Sequence, residues 1–252
     1  MRRTSKWLMD KVEKYYDAED FEKAMDFIIR LIEKDQNNAE AHFVKGNIHM
    51  AMKEPDKAIC EFDTAISFGY KDEIICTNRG NAHKKLGKLE NAFSDYALAL
   101  KLNKKFGPTY AIRGELYLKI KDYINAIKDF DIALKFEPDD YYTLKSRCSA
   151  YAKIGNSAKA LEDFEAFVLS KQNGDPDEMD RGHLYSKCGY PEKAVQDFSK
   201  LIYDCPIFVT AYEWRAIEYE KLGEFEKAKA DRDKIKELKN SDDGYIEHFI
   251  DD

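Results

Sequence analysis

One recurrence governs what this chain can fold into. An alanine returns every 34 residues, at Ala24, Ala58, Ala92, Ala126, Ala160, Ala194 and Ala228, without a break. Glycine keeps the same period at Gly46, Gly80, Gly114 and Gly182, the last interval being twice 34. Self-similarity with a period of about 20–50 residues marks stacked supersecondary units, each unable to bury its apolar face alone. Seven units follow one another without insertion: 5–38, 39–72, 73–106, 107–140, 141–174, 175–208 and 209–242. Residues 1–4 are an N-terminal extension, and 243–252 are a short acidic remainder.

Numbering each unit from 1 to 34 turns the recurrence into columns with physical meaning. Column 8 is small in most units (Val12, Gly46, Gly80, Gly114, Cys148, Gly182, Ala216) and column 20 is the alanine throughout, so two helix backbones can approach closely there. Column 24 supplies the bulk that fills the neighbouring space: Ile28, Phe62, Tyr96, Phe130, Phe164, Phe198 and Arg232. Columns 4, 8 and 11 share one helical face and columns 20, 24 and 27 another, since helical neighbours recur at three and four. Each unit therefore reads as two amphipathic helices. The break between them is regular: Gly87, Gly155, Gly189 and Gly223 stand at column 15, where a left-handed residue ends a helix. Pro55 and Pro191 suit the first turn of a second helix, and Pro138 and Pro206 at column 32 stop it.

The period, together with stretches such as Gly114-Glu115-Leu116-Tyr117, Ala126 to Phe130 and Pro138, resembles the tetratricopeptide repeat over residues 5–242. That resemblance implies an all-α fold, a right-handed superhelical α-solenoid of antiparallel helix pairs. The first unit, with Val12 and Ile28, and the last, with Arg232, fit least well, as terminal units with one watery side should. Arg232 and Lys236 read as part of a solvent-facing end. In the acidic remainder, Tyr245 with Phe249 and Ile246 with Ile250 are spaced i, i+4, which predicts a short capping helix.

Two charged columns depart from the common pattern of the family. Column 7, usually leucine there, holds Lys11, Lys45, Arg79, Arg113, Arg147, Arg181 and Arg215; column 23 holds Phe27, Glu61, Asp95, Asp129, Asp163, Asp197 and Asp231. Guanidinium bonds carboxylate bidentately, so these columns predict an ion-pair ladder that fixes repeat orientation more than it adds stability. They lie near the buried face and are read as structural.

In the family, first helices line the concave surface, and ligands are met by columns 2, 5, 6, 9, 12 and 13. Carried over residue by residue, this implies a peptide-binding groove containing Asn47, Asn78, Asn81, Lys84, Lys85, Glu115, Lys119, Lys145, Ser149, Lys153, His183, Lys187 and Trp214. Units three to five place five lysines against Glu115 in these columns, on a chain whose net charge is −7. The groove centre is thus expected to be basic and to draw an acidic or acidic-apolar segment. The bland reading is that column-13 lysines keep helix ends soluble and complement the helix dipole. Amides such as Asn47, Asn78 and Asn81 can bond a peptide backbone without demanding sequence. Trp214 is either an interface anchor or packing against the capping segment. The carboxylate clamp of chaperone-binding members is not reproduced: Asn47 and Asn78 fit two of its places, but Phe43, Pro108 and Ile112 occupy the other three.

Other classes are excluded by what the residues do not provide. There is no G-x-G-x-x-G, Walker loop, H-E-x-x-H or G-x-S-x-G motif, so neither an enzyme nor a cofactor or metal site is expected. His49 and His83 replace the column-11 tyrosine and are expected to hydrogen-bond in the seam. Asn173 to Glu178 read as a turn between units, lacking a full calcium loop. The net charge argues against nucleic acid and anionic membrane, and no run approaches the roughly 18 apolar residues of a membrane span. The N-terminus lacks the apolar stretch of a secretory signal. Five unpaired-looking cysteines, Cys60, Cys76, Cys148, Cys188 and Cys205, suggest a reduced cytoplasmic setting with thiols as small hydrophobes. The resulting expectation is a non-enzymatic protein-interaction scaffold, monomeric or weakly self-associating. The alternative is a self-assembly module acting through the solenoid ends or residues 245–250, and a nucleic-acid-binding repeat is a weaker third.

Overall fold

A computed structural model describes residues 4–170 and 178–240. Of the turn read at 173–178, residues 173–177 lie outside these residues and Glu178 opens a helix; the capping helix read in 243–252 also lies outside them. The described residues form fourteen α-helices, two per repeat and with no strand among them: α1 (Ser5–Asp17), α2 (Phe21–Lys34), α3 (Ala39–Ala51), α4 (Pro55–Ser67), α5 (Glu73–Lys85), α6 (Leu89–Leu102), α7 (Gly107–Lys119), α8 (Tyr123–Phe136), α9 (Tyr141–Lys153), α10 (Ser157–Ser170), α11 (Glu178–Lys187), α12 (Pro191–Asp204), α13 (Val209–Lys221) and α14 (Phe225–Asn240). Every second helix begins at column 17, which is how strongly the breaker residues set the local structure. The chain divides into two compact units, Met1–Leu116 and Tyr117–Asp252.

Helix starts are capped by the short polar side chains that precede them. Thr4, Asp20, Asn38, Asp72, Asp122 and Asp140 each accept the backbone N–H three residues on, at 2.8–3.2 Å. Pro55 and Pro191 open their helices without such a cap. A proline there has no N–H to leave unsatisfied. First helices end in a left-handed residue at column 15, where Gly87, Gly155, Gly189 and Gly223 have φ between +72° and +80°. The same turn is made by Glu19, Lys53 and Lys121 at φ +56° to +65°, positions where a side chain is strained and which the glycine pattern left unmarked.

The core of each unit is the column pattern made solid. All seven column-20 alanines are at most 1% exposed, and Phe62, Tyr96, Phe130, Phe164 and Phe198 are 0–2% exposed. The small residue at column 8 is what admits the ring at column 24. A Cβ added to Gly46, Gly80 or Gly182 would stand only 2.5–2.6 Å from Phe62, Tyr96 or Phe198. Second helices then pack onto the next first helix, α2 on α3 and α4 on α5 in the first unit, α8 on α9 and α12 on α13 in the second.

The charged columns form bidentate pairs in this seam. Arg147 donates from Nε and Nη2 to Asp163 at 2.9 and 2.6 Å, and Arg181 with Asp197 and Arg215 with Asp231 repeat the same two distances. Arg79 makes the equivalent pair with Asp95, at 3.1 and 2.5 Å. In the second repeat Lys45 and His42 share Glu61, at 2.6 and 2.7 Å. Burial opposes charge there, but those two hydrogen bonds hold the Glu61 carboxyl below its usual range. Arg113 lies over the Tyr110 ring at 5.6 Å, and Asp129 is buried in α8. A further arm escaped the sequence reading. Arg79 also reaches Asp63 (2.6 Å), Arg147 reaches Asp131 (2.7 Å) and Arg215 reaches the Ser199 hydroxyl (3.0 Å), all 16 residues earlier at column 25. These arginines therefore join consecutive repeats as well as the two helices of one.

Candidate functional site

In the first unit, the candidate groove residues sit on α3, α5 and α7. Asn78 donates from Nδ2 to Asn47 Oδ1 at 2.9 Å, tying neighbouring first helices. Both amides are half-buried. Among the described residues, the Asn47 NH2 and the Asn78 carbonyl oxygen have no other hydrogen bond, so the pair keeps one donor group and one acceptor in hand. Asn81 Oδ1 accepts from the buried Tyr96 hydroxyl at 2.8 Å, which orients its amide. Burial, with Glu115 and Asp95 nearby, pushes the Tyr96 phenol well up. Lys84 reaches Glu115 at 3.5 Å, whereas Lys85 is exposed. Beside these amides, Phe43 stacks on Tyr70 with centroids 4.8 Å apart.

In the second unit, Lys119, Lys145, Lys153 and Lys187 are exposed and Ser149 is half-buried. His183 and Trp214 meet edge to face at 4.1 Å, and Trp214 also packs against Phe198 (5.5 Å) and Phe208 (5.8 Å). The indole is thus packed in the aromatic seam between α11, α12 and α13, and the capping segment against which the sequence reading would also set it lies outside the described residues. One helix turn on, the buried Glu218 accepts from Ser186 and Lys221, both at 2.7 Å.

A single offset connects these contacts. Asn47 to Asn78, Lys84 to Glu115 and His183 to Trp214 are each 31 residues apart, and Ser186 to Glu218 and Thr77 to Thr109 (2.6 Å between hydroxyls) are 32. Adjacent first helices are staggered by about three residues relative to the repeat, so column 9 meets column 6 of the next unit. A scan of the sequence for polar pairs 31 apart would have found the amide pair.

One sequence expectation is corrected. His49 hydrogen-bonds in the seam as expected, Nδ1 to Glu54 at 2.7 Å, but His83 does not. Its Nδ1 is buried without a partner among the described residues, and its Nε2 is 3.7 Å from Asp95, beyond hydrogen-bond range. Burial holds the His83 ring below its ordinary pKa; Asp95 pulls it up and Arg79 pushes it down. At the position of Glu54 the third unit carries Lys88, which offers no acceptor and, like Arg79, opposes a charge on the ring. Among the thiols, Cys76, Cys148 and Cys188 are buried, Cys205 is half-buried and Cys60 is exposed. Cys148 donates from Sγ to the Ala160 carbonyl oxygen at 3.0 Å, and the Cys188 thiol beside it, together with burial, pushes the Cys148 thiol up.

The tetratricopeptide-repeat family model matches residues 74–106 and 107–140. No curated protein matches the chain in sequence. Solved structures match it closely in fold. The C-terminal part of a TPR repeat-containing protein from Cytophaga hutchinsonii superposes with a TM-score of 0.71 at 17% identity, covering 92% of this chain and 95% of that one. A tetratricopeptide repeat protein from Parabacteroides merdae gives 0.64 at 21% identity, covering 95% and 94%. YrrB, described as a TPR protein with an unusual peptide-binding site, gives 0.57 at 19% identity, covering 73% and 92%. No described helix is long and apolar enough to cross a membrane.

Proposed function

Because the chain is a tetratricopeptide-repeat protein, we propose that it is a non-enzymatic interaction scaffold whose first helices hold an extended peptide segment of a partner protein. The observation that carries this reading is the Asn47–Asn78 pair. Two amides locked at 2.9 Å are oriented before any ligand arrives, and each keeps a complementary group for a peptide N–H or C=O. Preorganised side chains lose little rotamer freedom on binding, so such bonds contribute more than those of mobile ones. Asn81, turned by the Tyr96 hydroxyl, extends the same provision.

Charge supplies the preference. Lys85 in the first unit and Lys119, Lys145 and Lys153 in the second are exposed cations on first helices, and Lys84 is only loosely held by Glu115. An acidic or acidic-apolar peptide suits them; rim charges of this kind act mainly on association rate and selectivity. A peptide-binding relative of the same fold, YrrB, is consistent with this role at the level of architecture. The test is affinity capture with the intact chain, followed by binding measurements on each partner recovered. Asn47→Ala with Asn78→Ala is expected to weaken partner peptides at least about tenfold, from the loss of oriented hydrogen bonds. Lys84→Glu, Lys119→Glu and Lys153→Glu together are expected to slow association and reduce its salt dependence. Unchanged affinity for every partner with both sets would refute the reading.

A further inference from the structure

The ion-pair ladder has one open rung. In α5, α9 and α13 the arginine Nη1 is closed by a column-25 side chain of the preceding repeat, Asp63, Asp131 or Ser199, at 2.6–3.0 Å. In α11, Arg181 makes the usual pair with Asp197 through Nε and Nη2, but among the described residues its Nη1 has no hydrogen-bond partner. Its side chain is also the most exposed of the four, at 23%. The residue at column 25 is Glu165, one methylene longer than Asp63 and Asp131 at the same column and exposed to solvent.

This edge opens into a cavity of about 500 Å³ between α10 and α12, floored by α11. Its apolar wall is Phe164 against Tyr185, edge to face at 5.0 Å. At its rim Lys193 lies over the Tyr185 and Tyr190 rings, at 5.0 and 5.5 Å. The equivalent cavity between α8 and α10, of about 530 Å³, has Arg147 closed by Asp131 and Asp163 and carries no aromatic lining. Each cavity holds the arginine, its column-23 aspartate and one lysine, Lys193 here and Lys135 there, and the two differ in the unspent guanidinium edge and the aromatic wall.

We propose that the α10–α12 cavity is a binding site for a carboxylate carried on an aromatic or aliphatic stem. The carboxylate takes on Arg181 Nη1 the place that Asp131 takes on Arg147, Lys193 supplies the second charge, and the stem lies on Tyr185, behind which Phe164 is packed. Asp197 is already spent on Arg181, so among the described residues lining the cavity Glu165 is the competing charge. The site uses none of the candidate groove residues and does not depend on the peptide-groove reading. The same chemistry is offered by a free aryl acid and by an acidic side chain next to an aromatic one in a peptide.

The experiment is an NMR titration of the intact chain with phenylacetate, its neutral isostere phenylacetamide, and the blocked dipeptides acetyl-Phe-Glu-amide and acetyl-Phe-Gln-amide. Shifts confined to α10–α12 are expected with the two acids, and about tenfold weaker binding with the two amides, as for loss of a charge-assisted hydrogen bond. Glu165→Gln should tighten acid binding about threefold by removing a like charge. Glu165→Asp should close the rung and weaken acid binding about tenfold while leaving the fold intact by circular dichroism. Tighter binding of the dipeptide acid than of phenylacetate assigns a peptide source, and the reverse order a free acid. Equal affinity for acid and amide, no shifts with either acid, or undiminished binding to Glu165→Asp would overturn the proposal.

Discussion

Gly80→Ala tests whether close packing at column 8 builds the repeat and reaches the candidate site. The new methyl would stand 2.6 Å from Tyr96 Cε1, 2.9 Å from Cδ1 and 3.2 Å from Asp95 Cβ. The ring has little room to withdraw: Tyr96 is 0% exposed, and its hydroxyl is tied to Asn81 at 2.8 Å. Overpacking of a tight core costs about 1–3 kcal/mol, and distortion of the hydroxyl bond about 1 kcal/mol more. Against this, alanine within a helix gains about 0.5–1 kcal/mol over glycine. The net expectation is a loss of about 1–3 kcal/mol in urea unfolding followed by circular dichroism. A cycle with Tyr96→Leu isolates the cause. Leucine removes the ring edge, so in that background Gly80→Ala should be neutral or stabilising by up to about 1 kcal/mol, with coupling of about 1–4 kcal/mol. An equal cost in both backgrounds, or no cost in the wild type, would refute the steric account. Because the Tyr96 hydroxyl orients Asn81, the single variant should also disturb the Asn81 side-chain amide resonances.

Three further outcomes follow from named contacts. Lys53→Gly and Lys121→Gly, at φ +61° and +65°, should each stabilise by about 0.5–1 kcal/mol in the same assay, since glycine adopts this conformation without strain. Arg147→Met should destabilise by about 3–5 kcal/mol, because it strands the buried Asp163; Asp131→Asn, which leaves the bidentate pair intact at a more exposed position, should change stability by about 0–1 kcal/mol. Acidification should weaken the fold through His83: its folded pKa lies below the ordinary 6.5, so stability is full above that value and falls as pH drops through it toward the folded value, where the unfolded chain takes up the proton first. His83→Gln should flatten the decline in unfolding free energy across that window.

The sequence alone determined most of what depends on separations within one repeat, although the left-handed turns at Glu19, Lys53 and Lys121 carried no glycine to mark them. The 3.6-residue period, the breakers at columns 15 to 17 and the small-large complement of columns 8 and 24 placed all the second helices and paired Gly80 with Tyr96. Arg147 with Asp163 was legible for the same reason, both columns belonging to one repeat. What only the tertiary structure decided is how one repeat lies against the next. Side chains on different helices meet according to the stagger at which their ridges interlock, and no periodicity within a helix contains that stagger. Hence the offset of 31 that ties Asn47 to Asn78, and the column-25 arm that closes Arg147 on Asp131. Hence also the bare edge of Arg181, a member of a regular column set apart by a side chain of the wrong length in the preceding repeat. Columns announce which residues are alike, and packing between repeats selects the ones that differ.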